Sequence, residues 1–358
     1  MIYILATIIV LGILVFVHEF GHFLAAKLTG IRVETFSLGF PPKIVCKKWG
    51  ETEYCLSWIP LGGYVKLSGM IDESMDDTWT TTLPQPWEYR SKPGWVKILV
   101  SSAGVIMNLL LAVIIFAVLT FQNGIPVSSE EPVIGSVVVG MPAEISGLQT
   151  GDRVLGVDET DVFTWQEMTE HIRIAVNSEI SLKISRNDEI LYVSVTPVPQ
   201  QTVIDGDVQT VGMIGIGAEY SIRSAGILTS VNYGFKNTGY WLKLTVKSLG
   251  MVITGKESLK NIGGPIMIAQ IAGESAKTGP GALFGFIAII SVNLALINIL
   301  PIPALDGGHI VMALAESLLK RELRLKTKIR IQQAGMALLF TLIAIVIIND
   351  VLRLFGRA

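Results

Sequence analysis

His18-Glu19-Phe20-Gly21-His22 has the form H-E-x-x-H. Two histidines four residues apart fall on one face of a helix, where both imidazoles can reach one zinc ion. The glutamate beside the first can take a proton from water. Soluble metalloproteases set this pattern on a helix that lines an open cleft. Here it grows directly out of residues 1–17, which carry no charged side chain. Ionisable groups at membrane depth are expensive, and their presence there marks a functional site by default. The plain alternative is a chance pattern near a membrane end, with imidazoles that only cap or snorkel. Two of the four histidines in the chain fall in this one pattern, which favours the metal site.

A catalytic zinc takes three protein ligands and keeps one position open, so the histidine pair needs a partner. A second motif offers one, running from Asn298 through Pro301, Pro303, Leu305 and Asp306 to His309. Pro301 and Pro303 cannot continue a regular helix, and irregular backbone at membrane depth is tolerated only where it lines a cavity. Asp306 follows residues 279–305, which hold no charge. A carboxylate there needs a strong partner, and zinc is one. His309 is the rival ligand and Glu316 a more distant one, while helix capping is the plain role for Asp306. His171, in a polar insert, has no metal motif beside it and reads as structural or incidental. Cys46 and Cys55 match no zinc spacing and read as ordinary half-buried thiols.

These motifs need a membrane scaffold to hold them. Half of the 358 residues are hydrophobic and only 16% are charged, which is low for a soluble chain. The expectation is a polytopic α-helical membrane protein with about four transmembrane helices, an inserted α+β domain and a small membrane-associated β element. A formal net charge of −2 with no Lys/Arg-rich block gives no sign of nucleic acid. The N-terminus lacks the basic region of a cleaved signal peptide, and cleavage would remove the metal motif, so it is expected to be retained. Spans of about 20 apolar residues are expected at 1–28, 98–121, 279–319 (apolar to 305) and 331–354 (apolar to 349). Residues 225–255 are only partly apolar, with Lys236, Lys243 and Lys247 on one helical face. That suits an interfacial amphipathic helix within a linker region, 201–278.

The basic residues set the orientation. Lys27, Arg32, Arg90, Lys92 and Lys97 flank the segment 29–97, and 320–330 holds six lysines and arginines, while 122–140 holds none. By the positive-inside rule 29–97 and 320–330 are cytoplasmic, and the insert and both termini lie opposite. The H-E-x-x-H then sits toward the cytoplasmic end of its helix.

Between the spans lie two patterned polar pieces. Residues 31–70 alternate apolar and polar side chains, with a turn at Trp49-Gly50-Glu51 and a break at Gly62-Gly63. This reads as a strand-rich element packed against the metal helix, or else as a connecting loop. The acidic, threonine-rich stretch 72–82 reads as a flexible loop. Residues 129–200 alternate short strands with helices near Pro142 and over 164–176. Pro142-Ala143, Gly147-Leu148 and Gly151-Asp152 follow the string P-A-x-x-x-G-L-x-x-G-D, and this stretch resembles a bacterial PDZ domain. Such domains take peptide ends or strands along a sheet edge.

Taken together, H-E-x-x-H in the first span, N-x-x-P-x-P-x-L-D-G in the third and one PDZ-like insert resemble the site-2 protease family, in particular its regulator of sigma-E proteases. The resemblance covers nearly the whole chain. It implies that His18, His22 and Asp306 bind Zn2+, that Glu19 is the catalytic base and that Asn298 holds substrate backbone. It further implies that the stretch at Gly62, Gly63 and Tyr64 is a membrane-dipping β-hairpin that pairs with unwound substrate. The run Ala103-Gly104-Val105-Ile106-Met107-Asn108 resembles the family segment A-G-P-x-x-N, with Val105 in place of proline, and puts Asn108 among the substrate-binding residues. Many relatives carry two PDZ domains; this chain has room for one.

The expected function is an intramembrane zinc endopeptidase that cuts the transmembrane segment of single-span proteins, such as an anti-sigma factor or a remnant signal peptide. Its setting would be the bacterial inner membrane, with the PDZ-like domain extracytoplasmic and in contact with peptides or ectodomains. Two rivals are a membrane-anchored zinc peptidase acting outside the bilayer, which leaves residues 301–306 without a role, and a non-catalytic PDZ scaffold.

Overall fold

The computed structural model describes residues 1–70, 83–204, 207–256 and 263–354, so the stretch 72–82 lies outside the described residues. The chain forms two compact units, Met1–Gln122 with Gly226–Ala358, and Asn123–Ala225. The first unit opens with α1 (Ile2–Leu28), 27 residues without a proline, which at 1.5 Å per residue extend about 40 Å. Ala6, Val10, Leu14 and His18 recur every four residues on its buried face. The stripe that packs the helix therefore also delivers the first imidazole inward.

After α1 the chain folds into a long antiparallel hairpin, β1 (Val33–Trp49) and β2 (Thr52–Leu67). Several register shifts between Val33 and Val45 bend it. Its base packs with Ala25, Ala26, Tyr89 and Val100 around Val33 and Leu67. Cys46 and Cys55 pair across the strands as a disulfide, which corrects their reading as thiols. The closure at Trp49 and Thr52 makes neighbours of cysteines nine residues apart, a relation that their spacing alone does not reveal. α2 (Gly94–Asn123) follows and starts before the apolar run at 98.

The second unit is α+β. In chain order it holds β3 (Ile125–Ser128), β4 (Ile134–Val137), α3 (Pro142–Ile145), β5 (Arg153–Val157), β6 (Thr160–Asp161), α4 (Trp165–Ile174), β7 (Ile180–Arg186) and β8 (Glu189–Val195). Then come β9 (Val198–Ile204), β10 (Asp207–Met213), β11 (Ile216–Ala218) and β12 (Tyr220–Arg223). One sheet has the order β6-β5-β7-β8, and β9–β10, β4–β11 and β3–β12 pair separately. Gly147 and Gly151 take positive φ of 82° and 95°, turns that favour glycine. Asp152, 1% exposed, receives two hydrogen bonds from Arg186 at 2.6 and 2.7 Å and fixes this corner. Residues 201–224, read as linker, carry strand instead: the late strands return to pair with β3 and β4 at the start of the unit, partners too distant in sequence for a local pattern to show.

The first unit resumes with α5 (Ile227–Ile253), α6 (Pro265–Thr278), α7 (Pro280–Ile299), α8 (Asp306–Leu319) and α9 (Leu325–Leu354). α5 is packed along other helices and is not only a surface helix. Ser230, Gly234 and Thr238 form its buried stripe, and a Cβ on Gly234 would lie 2.5 Å from the Val113 carbonyl of α2. Such small residues let helix backbones approach closely. Thr245 donates to Asn293 of α7 at 2.7 Å, while Lys236, Lys243 and Lys247 remain exposed. The expected third segment is two helices, α7 and α8, separated by the proline-bearing turn. α9 starts at Leu325, ahead of the expected 331, so Lys326, Lys328 and Arg330 are helical. Lys328 stays fixed there by Glu316, 2.6 Å away. Toward its other end, Asp350 accepts hydrogen bonds from Gly264, Ile266 and Met267 and caps α6. α1, α2, α7 and α9 are long and apolar enough to cross a membrane, so this is a polytopic α-helical membrane protein.

Candidate metal centre

α1 and the start of α8 bring three side chains to one point. His18 Nε2 lies 3.3 Å from His22 Nε2 and 3.2 Å from Asp306 Oδ2, and His22 Nε2 lies 3.3 Å from Asp306 Oδ1. His22 Nδ1 is 2.8 Å from the Val100 carbonyl, an acceptor that places the proton on Nδ1 and leaves Nε2 with its lone pair. Asp306 Oδ2 is buried and makes no hydrogen bond, although it sits 3.2 Å from His18. A buried carboxylate oxygen without a donor, facing two imidazole nitrogens, is a position that a cation can fill.

The turn that carries Asp306 exists because two glycines follow it. A Cβ on Gly307 would lie 2.1 Å from the Leu300 carbonyl, and one on Gly308 2.5 Å from that of Ile302. Only residues without side chains let α8 start folded back on the end of α7. Gly104 of α2 plays the same part beneath the imidazoles, where a Cβ would lie 2.4 Å from His22 Nε2 and 2.6 Å from His18 Cε1.

Glu19 faces the same space from the next position of α1. The Val65 backbone N–H of β2 donates to its carboxylate, and Gly63 packs against its Cγ. A cavity of about 260 Å³ is lined by His18, Glu19, His22, Gly62, Gly63, Tyr64, Asn298, Asp306 and His309. Asn298 Nδ2 approaches His18 Nε2 to 3.2 Å. Asn108 is not on this wall. It is fully buried behind His18, with Nδ2 3.2 Å from His18 Nδ1. Among the described residues His309 lines the cavity but stands outside the ligand cluster. Glu316 is further away still, in a neighbouring cavity of about 280 Å³ where it pairs with Lys97 at 3.3 Å and with Lys328. His171 is exposed on α4. The motifs gave no sign of Val100, Val65 or Ser291, whose hydroxyl donates to the Asn108 carbonyl at 2.8 Å, because two of them act through backbone atoms and the third through a buried contact.

The three side chains fit zinc. Bonds of about 2.0–2.1 Å in a tetrahedron put neighbouring ligand atoms roughly 3.3–3.4 Å apart, close to the separations observed here. Residues 6–342 match peptidase family M50. The chain belongs to this family. It is a zinc metalloprotease of the site-2 protease type. A Clostridium perfringens protein described as a zinc metalloprotease is 34% identical over 98% of both chains. A Rickettsia conorii protein of the same description is 35% identical over 99% of this chain and all of its own. The regulator of sigma-W protease RasP of Bacillus subtilis is 29% identical over 98% of this chain and 99% of its own.

Proposed function

We propose that this metalloprotease cuts the transmembrane segment of single-span membrane proteins, with His18, His22 and Asp306 holding zinc and Glu19 as the base. One observation carries this reading: two imidazoles from the membrane-spanning helix α1 and a carboxylate from the turn after the membrane-spanning helix α7 converge on one point beside a carboxylate-bearing cavity. Held by these residues, zinc would supply the charge that polarises the scissile carbonyl and acidifies water. Glu19, held by the Val65 N–H, takes the proton of the attacking water and gives it to the leaving amine. A helical substrate hides its amides in its own hydrogen bonds, so it must unwind locally before attack. Asn298 and the strand at Gly62, Gly63 and Tyr64 then satisfy the freed backbone groups.

The protein resides in the bacterial inner membrane, with residues 29–97 and 320–330 on the cytoplasmic side. The unit containing 129–200 is extracytoplasmic and acts as a PDZ-like selector of peptide ends or ectodomains. The Bacillus subtilis relative is a regulator of sigma-W protease, which supports an anti-sigma factor as substrate, and a remnant signal peptide fits the same chemistry. Glu19→Gln tests the central step. Zinc should be retained at wild-type stoichiometry while cleavage of a purified single-span substrate within its apolar segment stops. Cleavage only outside that segment by the wild-type enzyme would favour a peptidase that acts beyond the bilayer.

A further inference from the structure

Asn108 is a polar side chain, 0% exposed, in the middle of the apolar helix α2. Buried polar groups at membrane depth are costly unless they have a task. Its resemblance to a family segment places it among substrate-binding residues, yet it is absent from the cavity wall. Its carboxamide lies against the far side of the His18 ring from the ligand cluster, 3.2 Å from Nδ1, and its Oδ1 is buried with no hydrogen-bond partner.

The two nitrogens of His18 cannot be treated separately. Nε2 faces Asp306, Asn298 and His22. If Nε2 offers its lone pair to a metal, the neutral ring carries its proton on Nδ1, and that N–H needs an acceptor. The atom facing it is the Asn108 amide nitrogen, also a donor, while the amide oxygen has nothing donating to it. An Nδ1–H without an acceptor and an oxygen without a donor thus belong to two neighbouring groups. A half-turn of the near-symmetric carboxamide joins them.

We infer that Asn108 is a positioning residue whose carboxamide oxygen accepts the Nδ1–H of His18 and so holds the ring in its Nε2-ligating form. This rests on the reading of His18 as a zinc ligand. Ser291, hydrogen-bonded at 2.8 Å to the Asn108 carbonyl, anchors that turn of α2 against α7.

The test uses the full chain in detergent with Asn108→Leu, similar in shape but without an acceptor, Asn108→Asp, which keeps one, and His18→Ala. Zinc affinity, the rate of zinc loss to excess chelator and the visible spectrum of the cobalt-substituted protein are measured, together with KM and kcat at saturating zinc. Asn108→Leu should bind zinc about 10–100-fold more weakly, as expected for a lost outer partner of a ligating histidine. Its cobalt spectrum should change, and its KM for a single-span substrate should not. Asn108→Asp should restore the affinity. Wild-type zinc affinity in Asn108→Leu with a raised KM would overturn the inference and return Asn108 to substrate binding. Equal zinc loss in both Asn108 variants, with thermal unfolding lowered alike, would overturn it in favour of packing. Full zinc binding by His18→Ala would instead overturn the ligand assignment beneath it.

Discussion

Replacing Gly104 by alanine adds a single methyl group where the structure has no space for one. The new carbon would sit 2.4 Å from His22 Nε2 and 2.6 Å from His18 Cε1. Ordinary contact needs roughly 3.5 Å, so about 1 Å must be made up by moving the rings or by separating α1 from α2. A metal site tolerates errors of about 0.2 Å in its ligand distances. Overpacking of this kind costs the fold about 1–3 kcal/mol, which a protein of this size can survive, but the centre cannot absorb the displacement. Zinc affinity should therefore fall by at least about 10–100-fold, equivalent to about 1.4–2.7 kcal/mol. The assay is zinc per mole of purified protein by elemental analysis, with the chelator concentration that removes half of it. Gly12→Ala is the control: it lies on α1, the helix that carries both imidazoles, and the added carbon would have no packing neighbour within 4 Å outside its own helix turn. Stoichiometric zinc with wild-type chelator resistance in Gly104→Ala would refute the claim that the imidazoles are pinned against α2.

Asp306→Asn should weaken zinc retention while His309→Ala leaves it intact; the reverse result would make His309 the third ligand. Asn298→Ala should slow cleavage of stably helical substrates more than of substrates loosened by glycine or proline, and equal losses would reduce Asn298 to packing. In the second unit, the Phe163 N–H, bonded at 2.9 Å, holds the Glu167 carboxyl below its usual 4.5. A group whose pKa is lowered on folding adds stability above its ordinary value and loses it as the pH falls through the folded one. Protection of the α4 amides in the intact protein, taken relative to the intrinsic exchange rate at each pH, should thus fall as the pH drops below about 4.5, and Glu167→Gln should flatten that dependence.

The chemistry-bearing residues were legible because their types are out of place: histidines, a glutamate and an aspartate in runs that otherwise exclude charge. Pro301 and Pro303 likewise announced the break between α7 and α8, since a proline cannot continue a helix past its first turn. Relations through space were not legible. Cys46 and Cys55 become partners only once the hairpin closes. The strands after residue 201 complete pairings begun at β3 and β4. In α5 the spaced lysines drew attention from Ser230, Gly234 and Thr238, whose smallness says that another helix is near but not which one. Asn108 sat in a recognisable segment, but nothing in that segment shows that the side chain lies behind His18 and not on the cavity wall.

The centre draws its parts from the two ends of the chain: His18 and His22 come from the first helix, Asp306 from the start of α8, and the whole second unit lies between them. A ribosome delivering this polypeptide emits both imidazoles early, and the carboxylate that completes the set comes only after two more apolar helices have been made. Throughout that interval the nascent protein holds a two-ligand fragment with no turn to carry Asp306 and no Asn298 beside it. The cluster is therefore complete only once nearly the whole of the first unit has been made. A chain that ends before α8 lacks Asp306 and so lacks the third member of the cluster.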